Sequence, residues 1–223
     1  MNEERKHDRG LTVRQGQCVD VSAIPVKPAE ELADQLFGLR FSVISCVRAL
    51  LCSLGVVLLV RLRQGPPLRA YLGLAAPRTK ALLSWLALTL VFDALADALW
   101  YVNGRPIVTD YNLALYETAY FTPLFWLALI VAAPVFEEIL FRGFLFEGVR
   151  ASRLGGAGAV LLSTAAWTAV HTQYEYFELG VVFTLGLLLG AARLRSGSIY
   201  TSLAMHMLNN LVSAFEIIYF SSS

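Results

Sequence analysis

After a polar opening, the chain is dominated by six apolar runs, near residues 41–62, 80–101, 119–148, 156–174, 177–194 and 197–219. Each is about long enough to cross a bilayer as a helix, which takes roughly 20 residues. The pattern predicts an all-α, polytopic bundle of about six transmembrane helices. The third run is long, and its C-terminal part is expected to protrude or tilt. The fifth is short, but Gly180, Gly186 and Gly190 would let it pack closely on a neighbour. Residues 1–40 read as a polar tail with one amphipathic helix starting near Pro28. Glu30, Glu31 and Asp34 would fill its first turns and Leu32, Leu36 and Leu39 its apolar side, the arrangement of an interfacial helix leading into the membrane. Met1 to Gly10 lack the apolar stretch of a cleaved signal peptide, so insertion is expected to use the first hydrophobic helix.

Composition agrees with lipid as the solvent. Of 223 residues, 57% are hydrophobic and 16% charged, against roughly half and a quarter in soluble domains. The formal net charge of +1 gives no basic excess for nucleic acid and no acidic tail. Cys18, Cys46 and Cys52 are odd in number and lack CxxC or Cys/His spacing, so they read as free thiols. Basic residues gather at alternate joints: Arg61, Arg63, Arg69, Arg78 and Lys80, then Arg150 and Arg153, then Arg193 and Arg195. The positive-inside rule puts those joints in the cytoplasm and both termini outside, although Arg5, Lys6, Arg9, Arg14, Lys27 and Arg40 of the tail pull the other way. A multi-pass protein of the cell inner membrane is expected.

Charges inside membrane helices are costly unless paired or hydrated, so each needs a reason. The third run holds Glu137, Glu138 and Arg142. Glu138 and Arg142 are four apart and can pair on one helical face. Glu137 points about 100° away and could face a cavity. A buried ion triad that only fixes packing is an equally good reading of this cluster alone. The fourth run ends Trp167-Thr168-Ala169-Val170-His171, with Trp167 and His171 on one face. A single such histidine is more often a packing residue than a catalyst. The sixth run carries His206 and Asn210 on one face, where interhelical hydrogen bonding is the plain alternative; Asn209 falls on another face. Taken together, a glutamate, two histidines and an asparagine are the parts of a water-activating hydrolase. A carboxylate can take a proton from water, a neighbouring histidine can orient that water or relay the proton, and a second histidine and an asparagine can donate to the developing oxyanion. No serine or cysteine stands at helical spacing beside either histidine, although Ser163 and Thr164 share a helix with His171.

The order Glu-Glu-x-x-x-Arg, aromatic-x-x-x-His, His-x-x-x-Asn resembles the CAAX prenyl endopeptidase and bacteriocin-processing family over about residues 120–215. The resemblance implies a catalytic transmembrane domain at 119–219, behind scaffold helices at 41–118. It implies Glu137 as catalytic glutamate, His171 as water holder, His206 and Asn210 as the oxyanion pair, and Glu138 and Arg142 as supporting residues. Trp167 stands where the family commonly has phenylalanine and is expected at the substrate. A glutamate and two histidines also suit zinc, but HExxH is absent. The expectation is therefore no required cofactor, with zinc as the alternative. The implied partner is a membrane-anchored protein or peptide substrate, lipid-modified or C-terminally anchored, in the lipid bilayer. Two other classes are weighed against this protease: a non-catalytic immunity or regulatory protein on the same fold, and a small transporter. Apart from the motif, Asp93 and Asp97 lie four apart in the second run and Arg48 lies in the first. Arg48 is expected to pair with one or both; the competing reading is a second polar site facing the cavity.

Overall fold

The computed structural model describes residues 11–14, 17–20, 29–63, 65–119 and 121–222, with side chains described from residue 39 onward. Two short strands, β1 (Leu11–Arg14) and β2 (Gln17–Asp20), pair antiparallel with Leu11 opposite Asp20. This hairpin lies in the segment read from sequence as a tail with one helix; β-branched Thr12, Val13 and Val19 favour the extended backbone. All later elements are helical: α1 (Ala29–Leu62), α2 (Leu68–Leu72), α3 (Thr79–Val102), α4 (Asp110–Glu117), α5 (Thr122–Arg150), α6 (Gly155–Ala169), α7 (Tyr176–Ser196) and α8 (Ile199–Ser221).

Five of these helices are long and apolar enough to cross a membrane: Leu39–Leu62 of α1, then α3, α5, α7 and α8. Exposed Leu50, Leu51, Leu54 and Leu58 on α1, and Leu83, Leu90 and Leu95 on α3, give these two helices apolar outer faces suited to lipid. The chain is thus a multi-pass membrane protein. The expected interfacial helix and first span are one continuous helix of 34 residues. At about 1.5 Å per residue it outruns a ~30 Å hydrocarbon core, so its N-terminal turns lie beyond the span.

The fourth apolar run forms a shorter helix than the other five. Its helix, α6, has 15 residues and stops at Ala169 rather than continuing to 174. The cause lies downstream. The Glu175 side chain accepts from the backbone of Glu178, and the Glu178 side chain accepts from Glu175 N at 2.9 Å. This reciprocal cap starts α7 at Tyr176 and leaves residues 170–175 for the turn that connects the two helices.

Close contact between α6 and α7 uses two of the three expected glycines. A Cβ on Gly186 would meet Thr164 Cγ2 at 2.7 Å and the Trp167 ring at 3.0 Å, and one on Gly190 would meet Val160 at 3.1 Å; Gly180 has open space. The core around this contact comprises Phe141, Trp167, Leu185, Leu189, Ala192 and Met205.

Helix α5 is not a uniform α-helix. It widens into π-turns at Leu127–Ala132 and Glu138–Leu145, with α-helical turns before, between and after them. Pro134 has no N–H for the carbonyl of Ile130, and its ring crowds that carbonyl; the first π-segment falls there. The second begins at Glu138. Buried Arg193 of α7 anchors it by donating from Nε to the Arg142 carbonyl at 3.0 Å. Gly73, at φ +69° after α2, lies so close to the Arg193 guanidinium that any Cβ would collide with it. The Gly73 carbonyl accepts from Ile199 N at 3.0 Å, and Ser198 Oγ donates to the Ala75 carbonyl at 2.5 Å. The loop after α2 is thereby tied to the α7–α8 corner.

Candidate active site

The middle of α5 presents its two adjacent carboxylates in opposite environments. Glu138 and Arg142 are both fully buried, with Oε1 and Nη1 3.2 Å apart. Arg142 also donates to the Gly186 carbonyl at 3.4 Å, and its guanidinium lies 4.4 Å from the Trp167 ring centroid. Glu137 keeps 21% of its side chain accessible. One carboxylate is thus fixed by a guanidinium while the other keeps accessible surface, the division that their spacing suggests.

Two helices converge on Glu137 of α5. From α6, Trp167 Nε1–H donates to Glu137 Oε2 at 2.6 Å. From α8, His206 Nε2 lies 3.8 Å from the same oxygen, and its Nδ1 is 3.1 Å from Glu138 Oε1. A carboxylate only accepts, so His206 Nδ1 carries a proton toward Glu138. Nε2 is then the nitrogen turned to Glu137. A proton on Nε2 as well would make that nitrogen a donor.

Trp167, expected at the substrate, is 2% exposed. Its ring lies between the two histidines, with centroids 4.8 Å from His171 and 5.3 Å from His206, both edge-on. The side chain therefore orients Glu137 and both imidazoles from within the core. That second role was not legible from its aromatic character: only the indole N–H, absent from phenylalanine, makes the bond to Glu137.

His171 sits just past the end of α6. Its Nδ1 is 2.8 Å from the Trp167 carbonyl, which fixes the proton on Nδ1 and leaves Nε2 as an acceptor in the neutral ring. The ring stacks on Tyr174 at 5.9 Å and 14°. Both line an open cleft of about 860 Å³ between the end of α6 and the start of α7, with Thr168, Phe177 and Phe183. Tyr174 lies in the connecting turn, where burial pushes its phenol above the ordinary value; it remains a neutral hydroxyl.

Asn210 shares α8 with His206, but its Nδ2 donates to the Leu129 carbonyl at 2.8 Å, in the first π-segment of α5. One amide hydrogen thus ties α8 to α5. Asn209, on another face, donates to Asp93 Oδ1 at 2.8 Å. Arg48 is exposed on α1 and takes no part in this contact, so its expected pairing with Asp93 gives way to the competing reading, a polar cluster facing a cavity. Among the described residues, no three histidine, cysteine, aspartate or glutamate side chains are grouped to hold a metal ion.

Residues 119–212 match the family described as "Type II CAAX prenyl endopeptidase Rce1-like". The match covers α5 to α8 up to Val212, with every side chain placed above around Glu137. The chain is also 31% identical, over 83 residues, to an "Uncharacterized 24.3 kDa protein" of Escherichia coli. That alignment covers 36% of this chain and 38% of the Escherichia coli protein, so the chain spans well under half the length of that relative. No solved structure matches.

Proposed function

We propose that this protein is an intramembrane endopeptidase that hydrolyses peptide bonds of membrane-anchored substrates with water activated by Glu137. The observation that carries the reading is the pair of carboxylates in contrasting states, with Glu138 locked to Arg142 and Glu137 accessible beside His206. The similarity of residues 119–212 to type II CAAX prenyl endopeptidases supports it.

In this mechanism Trp167 holds Glu137 Oε2, which leaves Oε1 for a water molecule. His171, with its unprotonated Nε2 on the cleft wall, helps to hold that water. Glu137 takes one proton from it as the oxygen attacks the carbonyl carbon. The resulting oxyanion is met by His206 Nε2–H and by the remaining amide hydrogen of Asn210. The C–N bond then breaks, and Glu137 returns the proton to the leaving amine. The products are a carboxylic acid and an amine, the acid's proton passing to the amine or to water on release, with no covalent intermediate and no step assigned to a metal. Glu138, itself held by Arg142, keeps His206 oriented through Nδ1. The inner membrane is the expected residence, and lipid-modified or C-terminally anchored peptides are the expected substrate class.

The test is a panel of lipid-anchored reporter peptides incubated with the purified protein in micelles, with and without chelator. Products are identified by mass. Cleavage that survives chelation supports the proposal. Cleavage lost on chelation and restored by zinc would replace it with a metalloprotease. An inert, folded protein would favour an immunity or regulatory role on the same fold.

A further inference from the structure

His171 follows α6 rather than standing within it. Its N–H closes the last turn on the Thr168 carbonyl at 3.0 Å, and its ring is bonded through Nδ1–H to the Trp167 carbonyl at 2.8 Å. That bond alone leaves an imidazole free to pivot about the bond axis, and the pivot swings Nε2. The next three residues supply what blocks it. Tyr174 N donates back to the His171 carbonyl at 3.2 Å, so His171-Thr172-Gln173-Tyr174 is a turn whose first and last residues come together. The two rings stack nearly parallel, with centroids 5.9 Å apart and planes 14° from each other. Trp167 meets the imidazole edge-on at 4.8 Å and 73°. A turn of the imidazole would drive it into one ring or the other.

Tyr174 is itself held from another element. Thr109 Oγ1 accepts from Asn112 N at 3.2 Å and caps α4, which sets Tyr111 and Asn112 in its first turn. The Tyr111 ring meets Tyr174 edge-on at 6.4 Å and 83°, and the Asn112 side chain hydrogen-bonds the phenol. Trp167 links this chain of contacts to the chemistry. Its carbonyl holds His171 and its indole N–H holds Glu137 Oε2 at 2.6 Å. An imidazole fixed against Trp167 is therefore fixed relative to the Glu137 carboxylate.

We propose that Tyr174 is a positioning residue for the hydrolysis: clamped by α4, its ring sets the plane of the His171 imidazole and so aims Nε2 at the water that Glu137 activates. The inference rests on the endopeptidase reading. It also brings α4, which lies outside the family match at residues 119–212, into the working parts of the enzyme. A misaimed water costs turnover rather than affinity, because near-attack geometry enters kcat.

The test pairs Tyr174→Leu, which removes the ring, with Tyr174→Phe, which keeps it between Tyr111 and His171. Tyr174→Leu should lower kcat about 10-fold with KM little changed, and Tyr174→Phe should restore kcat to within about threefold of wild type. Freeing the phenol by Tyr111→Leu/Asn112→Ala should lower kcat in the same sense by a smaller factor. Melting in micelles checks folding, and Tyr174→Met serves if Tyr174→Leu does not fold. The ring-proton signals of His171, recorded on protein with isotope-labelled histidine and assigned by their loss in His171→Ala, read the stack without any turnover. They should move in Tyr174→Leu and stay near their wild-type positions in Tyr174→Phe. His171 signals unmoved in Tyr174→Leu, or a wild-type kcat in that variant, would overturn the proposal, and a kcat lost equally in Tyr174→Phe would overturn the part given to the ring. An unchanged kcat in Tyr111→Leu/Asn112→Ala would overturn the clamp by α4. Signals that move as expected in a wild-type background that cleaves no peptide would retain the brace on His171 and sink the protease reading instead.

Discussion

Replacing Arg142 by methionine keeps an unbranched side chain of similar length and removes the charge that faces Glu138. Both partners are fully buried and 3.2 Å apart. The substitution leaves a carboxylate in the core with His206 as its remaining partner, and breaking a buried pair in this way costs about 3–5 kcal/mol. Arg142 also lies 4.4 Å from the Trp167 ring centroid, a contact worth about 1–2 kcal/mol when desolvated. The double variant Glu138→Gln/Arg142→Met removes both charges, and glutamine still offers an oxygen to His206 Nδ1–H. It should lose only the contact with Trp167 and the hydrogen bond to the Gly186 carbonyl, about 2–3 kcal/mol together. Unfolding in mixed micelles by titration with denaturing detergent gives both values on one scale. The single variant should be the less stable of the two by about 2 kcal/mol or more. A single variant within about 1 kcal/mol of wild type, or a double variant as unstable as the single, would refute the claim that Glu138 is a buried, ionised group held by Arg142.

Trp167→Phe retains the ring between the two histidines and deletes the N–H that meets Glu137 at 2.6 Å; stability should change by about 1 kcal/mol, while kcat falls roughly 10-fold or more with KM little altered. An unchanged kcat would show that the bond does not orient the glutamate. Gly186→Ala would drive a Cβ to 2.7 Å from Thr164 and 3.0 Å from the Trp167 ring, so it should cost about 1–3 kcal/mol and lower activity by moving Trp167. Gly180→Ala, in open space, is the matched control and should be neutral by the same detergent titration.

Much of this arrangement is legible in the sequence because helical spacing is local. The pairing of Glu138 with Arg142, the separate aim of Glu137 and the shared face of Trp167 and His171 all follow from residues one to four apart. Gly186 and Gly190 likewise announce a close helix contact. What the spacing does not convey is which helices become neighbours. Arg48 has the charge to satisfy Asp93, but α1 leaves it exposed, and Asn209 of α8 takes its place. The π-turns of α5 are also silent: Pro134 signals a disturbed helix, but a kink and a widened turn answer the same steric problem. The early end of α6 is marked by Glu175 and Glu178, three apart, a capping pair that follows directly on the apolar run at 156–174.

The measurement that bears most directly on the account is the turnover of Glu137→Gln with a peptide that the wild-type protein cleaves. Glutamine preserves the size of the side chain and can still accept from the Trp167 indole, but it cannot take a proton from water. The account predicts a loss of roughly 1,000-fold or more in kcat, with a melting temperature near that of wild type. A Glu137→Gln protein that turns over at the wild-type rate would contradict it and move the chemistry away from this carboxylate.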